Sequence, residues 1–142
     1  MSTYDTDFYA WTQAQAQYLK AGKWEHLDLE NLAEEIESLG RQERQQLMNR
    51  FGVLLGHLLK WQYQPSYRSH SWQATIREQR RKILRLLAAN PSLQPFLPEA
   101  LQLGYEDGVD LAIAETNLPD ETFPTTCLYT LEQVLDAEFL PN

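Results

Sequence analysis

Hydrophobic residues recur along most of this 142-residue chain at spacings of three and four, which is the period of an amphipathic α-helix. The first such stripe lies between residues 5 and 21 and comprises Phe8, Trp11, Gln15, Tyr18 and Leu19. We expect Asp5 to cap this helix and Gly22 to end it. No segment alternates between apolar and polar residues as a half-buried strand does, so the pattern predicts an all-α fold.

A second helical stretch follows Asp28, a favourable N-cap residue. Its apolar positions keep the helical period as far as Leu39, and Gly40 then interrupts them. The stripe resumes out of phase from Leu47 to Trp61. We therefore expect the second helix to kink at Gly40 or to break into two helices there.

A third helix is predicted to begin near Ser69 or Ser71. It carries a set of apolar residues on one side, namely Trp72, Ile76, Ile83 and Leu87. Pro98 suits the first turn of a fourth helix that reaches about Asn117.

Thr130 and Gln133 form a capping box for a short C-terminal helix. The connections between helices are short, which favours antiparallel neighbours. We expect one domain over residues 1–142, built as a compact bundle of four main helices with a short helix at its end.

The composition supports a hydrophobic core that is stable without a metal ion or a disulfide. With 43% hydrophobic residues, a chain of this length folds without metal ions or disulfides. Cys127 is the single cysteine, and the N-terminus lacks the pattern of a signal peptide. The longest apolar run has nine residues, whereas about 20 are needed to span a bilayer. We expect a cytoplasmic protein without a cofactor and without a membrane partner.

Charge is distributed unevenly along the chain. The net charge is −8, but residues 1–40 carry −6, residues 41–85 carry +8 and residues 86–142 carry −10. Arg77, Arg81 and Arg85 follow one another at a spacing of four, where each like-charged pair costs about 0.2–0.5 kcal/mol. We expect acidic groups to face them. The chain itself offers such groups on its predicted helices: Glu34, Glu37, Glu106, Asp107 and Asp110.

A partner could supply the acidic groups instead. One alternative is a protein with an acidic surface, and another is a nucleic acid bound through a basic patch of Arg68, Arg77, Arg80, Arg81 and Arg85. Basic and aromatic residues interleave over residues 60–72, as in grooves that stack single-stranded bases. The acidic flanking segments disfavour a phosphate backbone, and a core position explains Trp61 and Trp72 more simply.

Two pairs of glycines stand four residues apart within predicted helices: Gly52 with Gly56, and Gly104 with Gly108. Each mid-helix glycine costs about 0.5–1 kcal/mol relative to alanine, so a gain must offset it. We expect close approach of two helices. The alternative is a small ligand pocket beside His57 and Tyr105.

Candidate chemistry is sparse. A ligand or enzymatic site could combine five residues, with His57 transferring a proton: Glu34, Glu37, His57, Arg68 and Tyr105. The three histidines are scattered, and no metal-binding or nucleophile motif is present. We therefore predict no metal and no catalytic residue, which favours a protein without enzymatic activity.

Five longer motifs occur in order along the chain: NLAEEIESLGRQER, LLGHLLKWQYQPSYRSHSW, TIREQRRKI, NPSLQPFL and AETNLPDETFP. With them the chain resembles, from about Tyr4 to Pro141, the bacterial family known as domain of unknown function 29. The resemblance implies a small, almost wholly helical domain, and it implies no activity or site residue. The sequence thus favours a cytoplasmic interaction or regulatory module that docks a protein partner or self-associates.

Overall fold

A computed structural model describes residues 3–142 and places six α-helices there without any β-strand. The helices are α1 (Thr3–Thr6), α2 (Phe8–Ala21), α3 (Leu29–Tyr63), α4 (His70–Ala89), α5 (Leu97–Thr116) and α6 (Leu131–Leu135). Short 3₁₀ turns lie at four of the connections. The predicted all-α class with four long helices and a short C-terminal one is confirmed.

The chain divides into two compact units. The first ends at Gln42, and the second spans Glu43–Asn142. Helix α3 contributes residues to both units. The single domain expected over residues 1–142 stays a prediction.

In the first unit, Asp28 fastens the start of α3 to α2. Trp11 Nε1 donates a hydrogen bond to Asp28 Oδ2 at 3.0 Å, and Gln15 Oε1 accepts one from the Asp28 amide at 2.8 Å. Asp7, rather than the predicted Asp5, caps α2, because α1 occupies the residues before it. Gly22 ends α2 with a φ of 70°, a conformation that glycine adopts without strain.

Helix α3 runs through Gly40 without interruption, so the chain does not break into two helices there. The alternative, a kink at Gly40, stays a prediction. Nothing crowds this glycine, and a single exposed glycine costs a helix only about 1 kcal/mol. The shift in the phase of the apolar stripe between Leu39 and Leu47 has another cause. Ile36 and Leu39 are 66% and 61% exposed, so their stripe does not continue the buried stripe that begins at Leu47.

The core of the second unit joins α3 to α4, α5 and α6. Its buried members include Leu47, Phe51 and Leu58 of α3 and Ile76 and Ile83 of α4. Three residues of the predicted stripe, Ile76, Ile83 and Leu87, lie on the α4 side of this core. The fourth, Trp72, is only half-buried, and its ring lies under Lys60 Nζ. Ser69 caps α4 as expected, and the capping box of Thr130 and Gln133 opens α6.

The glycine pairs bring α3 and α5 into backbone contact. A Cβ atom on Gly104 would lie 2.6 Å from Phe51 Cβ, and one on Gly108 would lie 2.9 Å from the Gly56 nitrogen. Neither distance leaves room for a methyl group. The predicted close approach of two helices is confirmed.

Candidate functional site

Two of the five predicted pocket residues, Glu34 and Glu37, lie on the exposed side of α3 in the first unit. Both carboxylates face Arg41 on the same helix. Arg41 Nη2 is 3.0 Å from Glu34 Oε1, and Arg41 Nη1 is 4.0 Å from Glu37 Oε2. These carboxylates therefore balance a neighbouring charge.

The other three pocket residues lie in the second unit, and each contacts a backbone carbonyl. His57 Nδ1 is 2.8 Å from the Val53 oxygen, and burial lowers the pKa of His57. The Tyr105 hydroxyl donates to the Pro124 oxygen at 2.6 Å, and burial raises the Tyr105 pKa to about 12.

Arg68 Nε donates to the Trp61 oxygen at 2.8 Å, and its guanidinium lies over the Trp61 ring. A cavity beside Tyr105 has a volume of only about 10 Å³ and is lined by neither His57 nor Arg68. Leu111 fills the space next to Gly56. This small cavity therefore does not bring the three residues together.

Across residues 3–142, no group of three or more histidine, cysteine, aspartate or glutamate side chains is placed to hold a metal ion. None of the helices α1 to α6 is both long enough and apolar enough to cross a bilayer.

Most of the basic residues in the +8 segment have a polar partner. Seven of the ten do: Arg41 with Glu34, Arg44 with Glu99, Arg50 with Gln79, Lys60 with Glu115, Arg68 with the Trp61 carbonyl, Arg80 with three carbonyls and Lys82 with Glu78. The remaining three are Arg77, Arg81 and Arg85.

These three arginines are exposed on one side of α4, and none makes a hydrogen bond or an ion pair with the described part of the chain. The expectation that the chain's own carboxylates face them stays a prediction. On α4 itself, Lys82 and, to a smaller extent, the charge of Arg81 lower the pKa of Glu78. The carboxylates that we expected form no ion pair with the three arginines. Glu34 and Glu37 pair with Arg41 instead. The other expected partners, Glu106, Asp107 and Asp110, are on α5 and form no ion pair with them, and Asp107 packs against Gly52 of α3.

Arg80 differs from the other members of the predicted basic patch. It is only 4% exposed, and its Nε donates to the Val134 oxygen at 2.8 Å. Its Nη2 donates to the Phe139 oxygen at 2.8 Å and to the Gln133 oxygen at 3.4 Å. Arg80 therefore holds the C-terminal segment against α4 with a guanidinium group that is almost wholly buried.

A groove of about 860 Å³ lies between α4 and this C-terminal segment. Apolar side chains form much of its lining: Ile76, Leu84, Ala88, Leu135, Ala137 and Leu140. Leu84 is 51% exposed although it is a large apolar residue. Arg77, Arg81 and Arg85 line the same groove, and Glu138 on the C-terminal segment is its one acidic lining residue. We call this feature the α4 groove.

The sequence interpretation identified the arginines but not the apolar residues beside them. A signal for Leu84 exists, because it lies outside the stripe of Ile76, Ile83 and Leu87 and shares a helix side with Arg77 and Arg81. The sequence pattern does not show that Leu135 and Leu140 line the groove, because these residues come close to α4 only in the folded chain.

Searches of curated proteins and of solved structures each found no match to this chain. A family model, by contrast, matches residues 3–140, nearly the whole chain. The motifs that signalled the resemblance, the helical fold and this match agree, and the chain belongs to the family described as Domain of unknown function DUF29.

Proposed function

We propose that this chain is a non-enzymatic interaction module of the bacterial cytoplasm whose α4 groove binds an acidic amphipathic helix of a protein. One observation carries the proposal. Arg77, Arg81 and Arg85 form no ion pair with residues 3–142, and they stand together beside an apolar floor in which Leu84 is 51% exposed.

The dimensions of the α4 groove suit a helix. Its lining on α4 extends from Gln73 to Ala88, which corresponds to about 22 Å along the helix axis and about four helical turns. An amphipathic helix lays its apolar face into a groove of this kind through residues spaced three and four apart. The apolar lining supplies the floor for such residues, and Leu84 gains most by being covered.

The spacing of the charges suits the same ligand. Arg77, Arg81 and Arg85 succeed one another by one turn, about 6 Å apart along the axis. Carboxylates spaced four apart on a facing helix have the same repeat. Each arginine–carboxylate pair forms a charge-assisted hydrogen bond and relieves the repulsion between neighbouring arginines.

A nucleic acid fits the groove less well. A phosphate backbone favours a continuous basic surface, whereas six apolar residues and the carboxylate of Glu138 line this groove together with the arginines. Arg68 and Arg80, the other members of the predicted patch, are already bound to backbone carbonyls. A protein helix uses both the charge and the apolar floor.

The proposal is tested with a labelled synthetic peptide of alanine, leucine and glutamate that carries its glutamates at a spacing of four. Binding to the full chain is followed by fluorescence anisotropy at nanomolar protein and rising salt. A peptide with lysine in place of glutamate and a 20-nucleotide single-stranded DNA serve as comparison ligands. We expect the acidic peptide to bind most tightly and to weaken as salt rises.

Charge reversal locates the binding. The double substitution Arg77→Glu with Arg81→Glu should weaken binding of the acidic peptide by about tenfold or more. The matched control, Lys20→Glu with Lys23→Glu, changes the net charge equally outside the groove and should bind as the parent chain does. Equal binding of the acidic and basic peptides, or tighter binding of the DNA, would overturn the proposal.

A further inference from the structure

We infer that the first unit docks on the first unit of a second copy of this chain, so that two helical hairpins form a four-helix bundle. The surface involved lies outside the α4 groove, and the inference does not rest on the proposed function. We call this surface the hairpin face. It consists of five large, exposed apolar side chains: Phe8 and Leu19 of α2, and Leu29, Ile36 and Leu39 of α3.

The first unit buries very little of its own apolar surface. Of residues 3–42, only Trp11 and Gln15 are buried, and the hydrophobic core described above begins at Leu47. Of the 11 large hydrophobic residues exposed in residues 3–142, seven belong to this unit. Units of about 40 residues usually need disulfides, metal ions or oligomerisation to be stable. A partner that covers the exposed apolar residues supplies the missing burial.

The apolar residues of α3 have the spacing of a seam between helices. Leu29, Leu32, Ile36 and Leu39 follow one another at spacings of three, four and three, like the a and d positions of a coiled coil. Leu32 is half-buried, whereas Leu29, Ile36 and Leu39 are 69%, 66% and 61% exposed. The first unit therefore covers only part of this seam.

Helix α2 and the start of α3 form an antiparallel hairpin. Trp11 and Gln15 of α2 both contact Asp28, at the start of α3. Tyr4, which precedes α2, donates a hydrogen bond to Glu35, two turns further along α3. These contacts define the side of each helix that faces the other.

The hairpin face lies on one side of this hairpin. At about 100° per residue, Phe8 and Leu19 are rotated by about 40–60° around α2 from the residues that contact α3. The three residues on α3 are rotated in the same sense, by about 30–110°, from the residues that contact the N-terminal helices. In an antiparallel pair, rotations of the same sense point to the same side. The exposed carboxylates Glu30, Glu34 and Glu37 lie about 140° around α3 from this strip, so the face itself is apolar.

The area of the hairpin face matches what a dimer needs. Each helix is about 10–12 Å in diameter, and the stretches involved are about 20 Å long. Covering a third of the circumference removes about 300 Å² of accessible surface per helix, or about 1,200 Å² when two hairpins meet. Stable complexes bury about 1,200–2,000 Å². An apolar face of this kind is complementary to itself, as the interface of a two-fold dimer must be.

The inference is tested by the molar mass of the full chain in sedimentation velocity at 50 mM and 500 mM salt. We expect twice the monomer mass of 16.6 kDa at both salt concentrations. Residues 1–42 carry eight acidic and three basic residues, so salt screens a repulsion between copies and should not dissociate the dimer. Binding of the acidic peptide to the α4 groove should show the opposite dependence on salt.

A double substitution locates the interface. Ile36→Gln with Leu39→Gln removes two apolar contacts and should raise the dissociation constant of the dimer by about tenfold or more. Both side chains are exposed and glutamine favours a helix, so the helix content measured by circular dichroism should stay unchanged. The matched control, Tyr67→Gln with Leu128→Gln, replaces two residues of similar exposure in the second unit and should leave the dimer intact.

Each outcome decides for or against the inference. A parent chain that is monomeric at both salt concentrations would overturn it, and so would a dimer that persists unweakened in Ile36→Gln with Leu39→Gln. Dissociation caused by Arg77→Glu with Arg81→Glu, but not by the hairpin substitutions, would place the interface in the α4 groove and would also overturn it. A monomer of unchanged helix content only in the hairpin variant would support it.

Discussion

The guanidinium of Arg80 on α4 lies 2.8 Å from the carbonyl oxygen of Phe139, close to the C-terminus of the chain. The same side chain also binds the Val134 oxygen. Carbonyls at the end of a helix lack intrahelical donors, and Arg80 supplies them for α6. One buried cation thereby fixes the wall of the α4 groove that the C-terminal segment provides.

Replacing Arg80 by methionine should loosen the contact between the C-terminal segment and α4. The substitution keeps a long apolar side chain but leaves the carbonyls without donors, and we expect a loss of about 1–3 kcal/mol in the free energy of unfolding. Hydrogen exchange of the amides in residues 131–140 should quicken. Arg81→Met, on the exposed side of the same helix, is the control and should change stability by less than about 0.5 kcal/mol. Unchanged exchange in Arg80→Met would show that other contacts hold the segment.

The contact between α3 and α5 predicts opposite effects of the same substitution at two glycines. Gly104→Ala places a methyl group 2.6 Å from Phe51 Cβ, so the helices must separate, and overpacking of this kind costs about 1–3 kcal/mol. Gly40→Ala meets nothing within 4 Å and should stabilise the chain by about 0.5–1 kcal/mol, because alanine favours the helix.

Thermal and urea unfolding of both variants test this pair of predictions. A Gly104→Ala chain as stable as the parent would mean that α3 and α5 do not approach so closely. Gly40→Ala serves as the control for the intrinsic preference of alanine over glycine in a helix.

The loss in the free energy of unfolding should depend on whether Lys60 or Glu115 of their ion pair is replaced. Lys60 is buried, its Nζ lies 2.6 Å from Glu115 Oε1, and the Trp72 ring lies beside it. Glu115→Gln leaves a buried ammonium group without its carboxylate, and we expect a loss of about 1–3 kcal/mol. Lys60→Met removes the charge itself and should cost less. Urea midpoints that rank the two variants in the reverse order would contradict this.

Burial of His57 predicts a dependence of stability on pH. Burial lowers its pKa below the ordinary value of 6.5, and the nearby charge of Lys60 lowers it further, whereas Glu115 acts in the opposite direction. Below pH 6.5 the unfolded chain binds a proton that folded His57 does not, so stability falls as the pH drops. The loss ends once the pH is below the folded pKa as well.

His57→Gln should flatten this part of the pH profile. Glutamine can still donate to the Val53 carbonyl but does not titrate. Melting temperatures between pH 8 and pH 5 provide the measurement, and His70→Gln at an exposed position is the control. A profile that is equally steep in the parent and in His57→Gln would assign the pH dependence to other groups.

Most helices were predictable from the sequence, because helix caps and helical spacing depend on residues that are close together in the chain. The capping residues Ser69 and Thr130 and the glycine spacing of α3 and α5 belong to this class. The helix does not break at Gly40, because the apolar stripe before this residue is not a core stripe. Residues such as Ile36 keep the helical period while remaining exposed, and the period alone does not distinguish the two cases.

The site was less predictable, because it is made by contacts distant in sequence. Arg80 shares a spacing with the other arginines, but it also lies in phase with Ile76, Ile83 and Leu87, which signals burial. The carbonyls that bind it come from residues more than fifty positions away. Whether Arg77, Arg81 and Arg85 form ion pairs with residues 3–142 likewise depends on where the carboxylates lie in three dimensions.

The row of three arginines on α4 has a consequence for attempts to improve this protein. Arg77, Arg81 and Arg85 stand one helical turn apart, where like charges repel one another, and they form no ion pair with residues 3–142. A laboratory selection for thermal resistance would therefore favour their replacement. Such replacements would also remove the surface that we propose for binding, so variants selected for stability alone are unsuitable for identifying a partner of the protein.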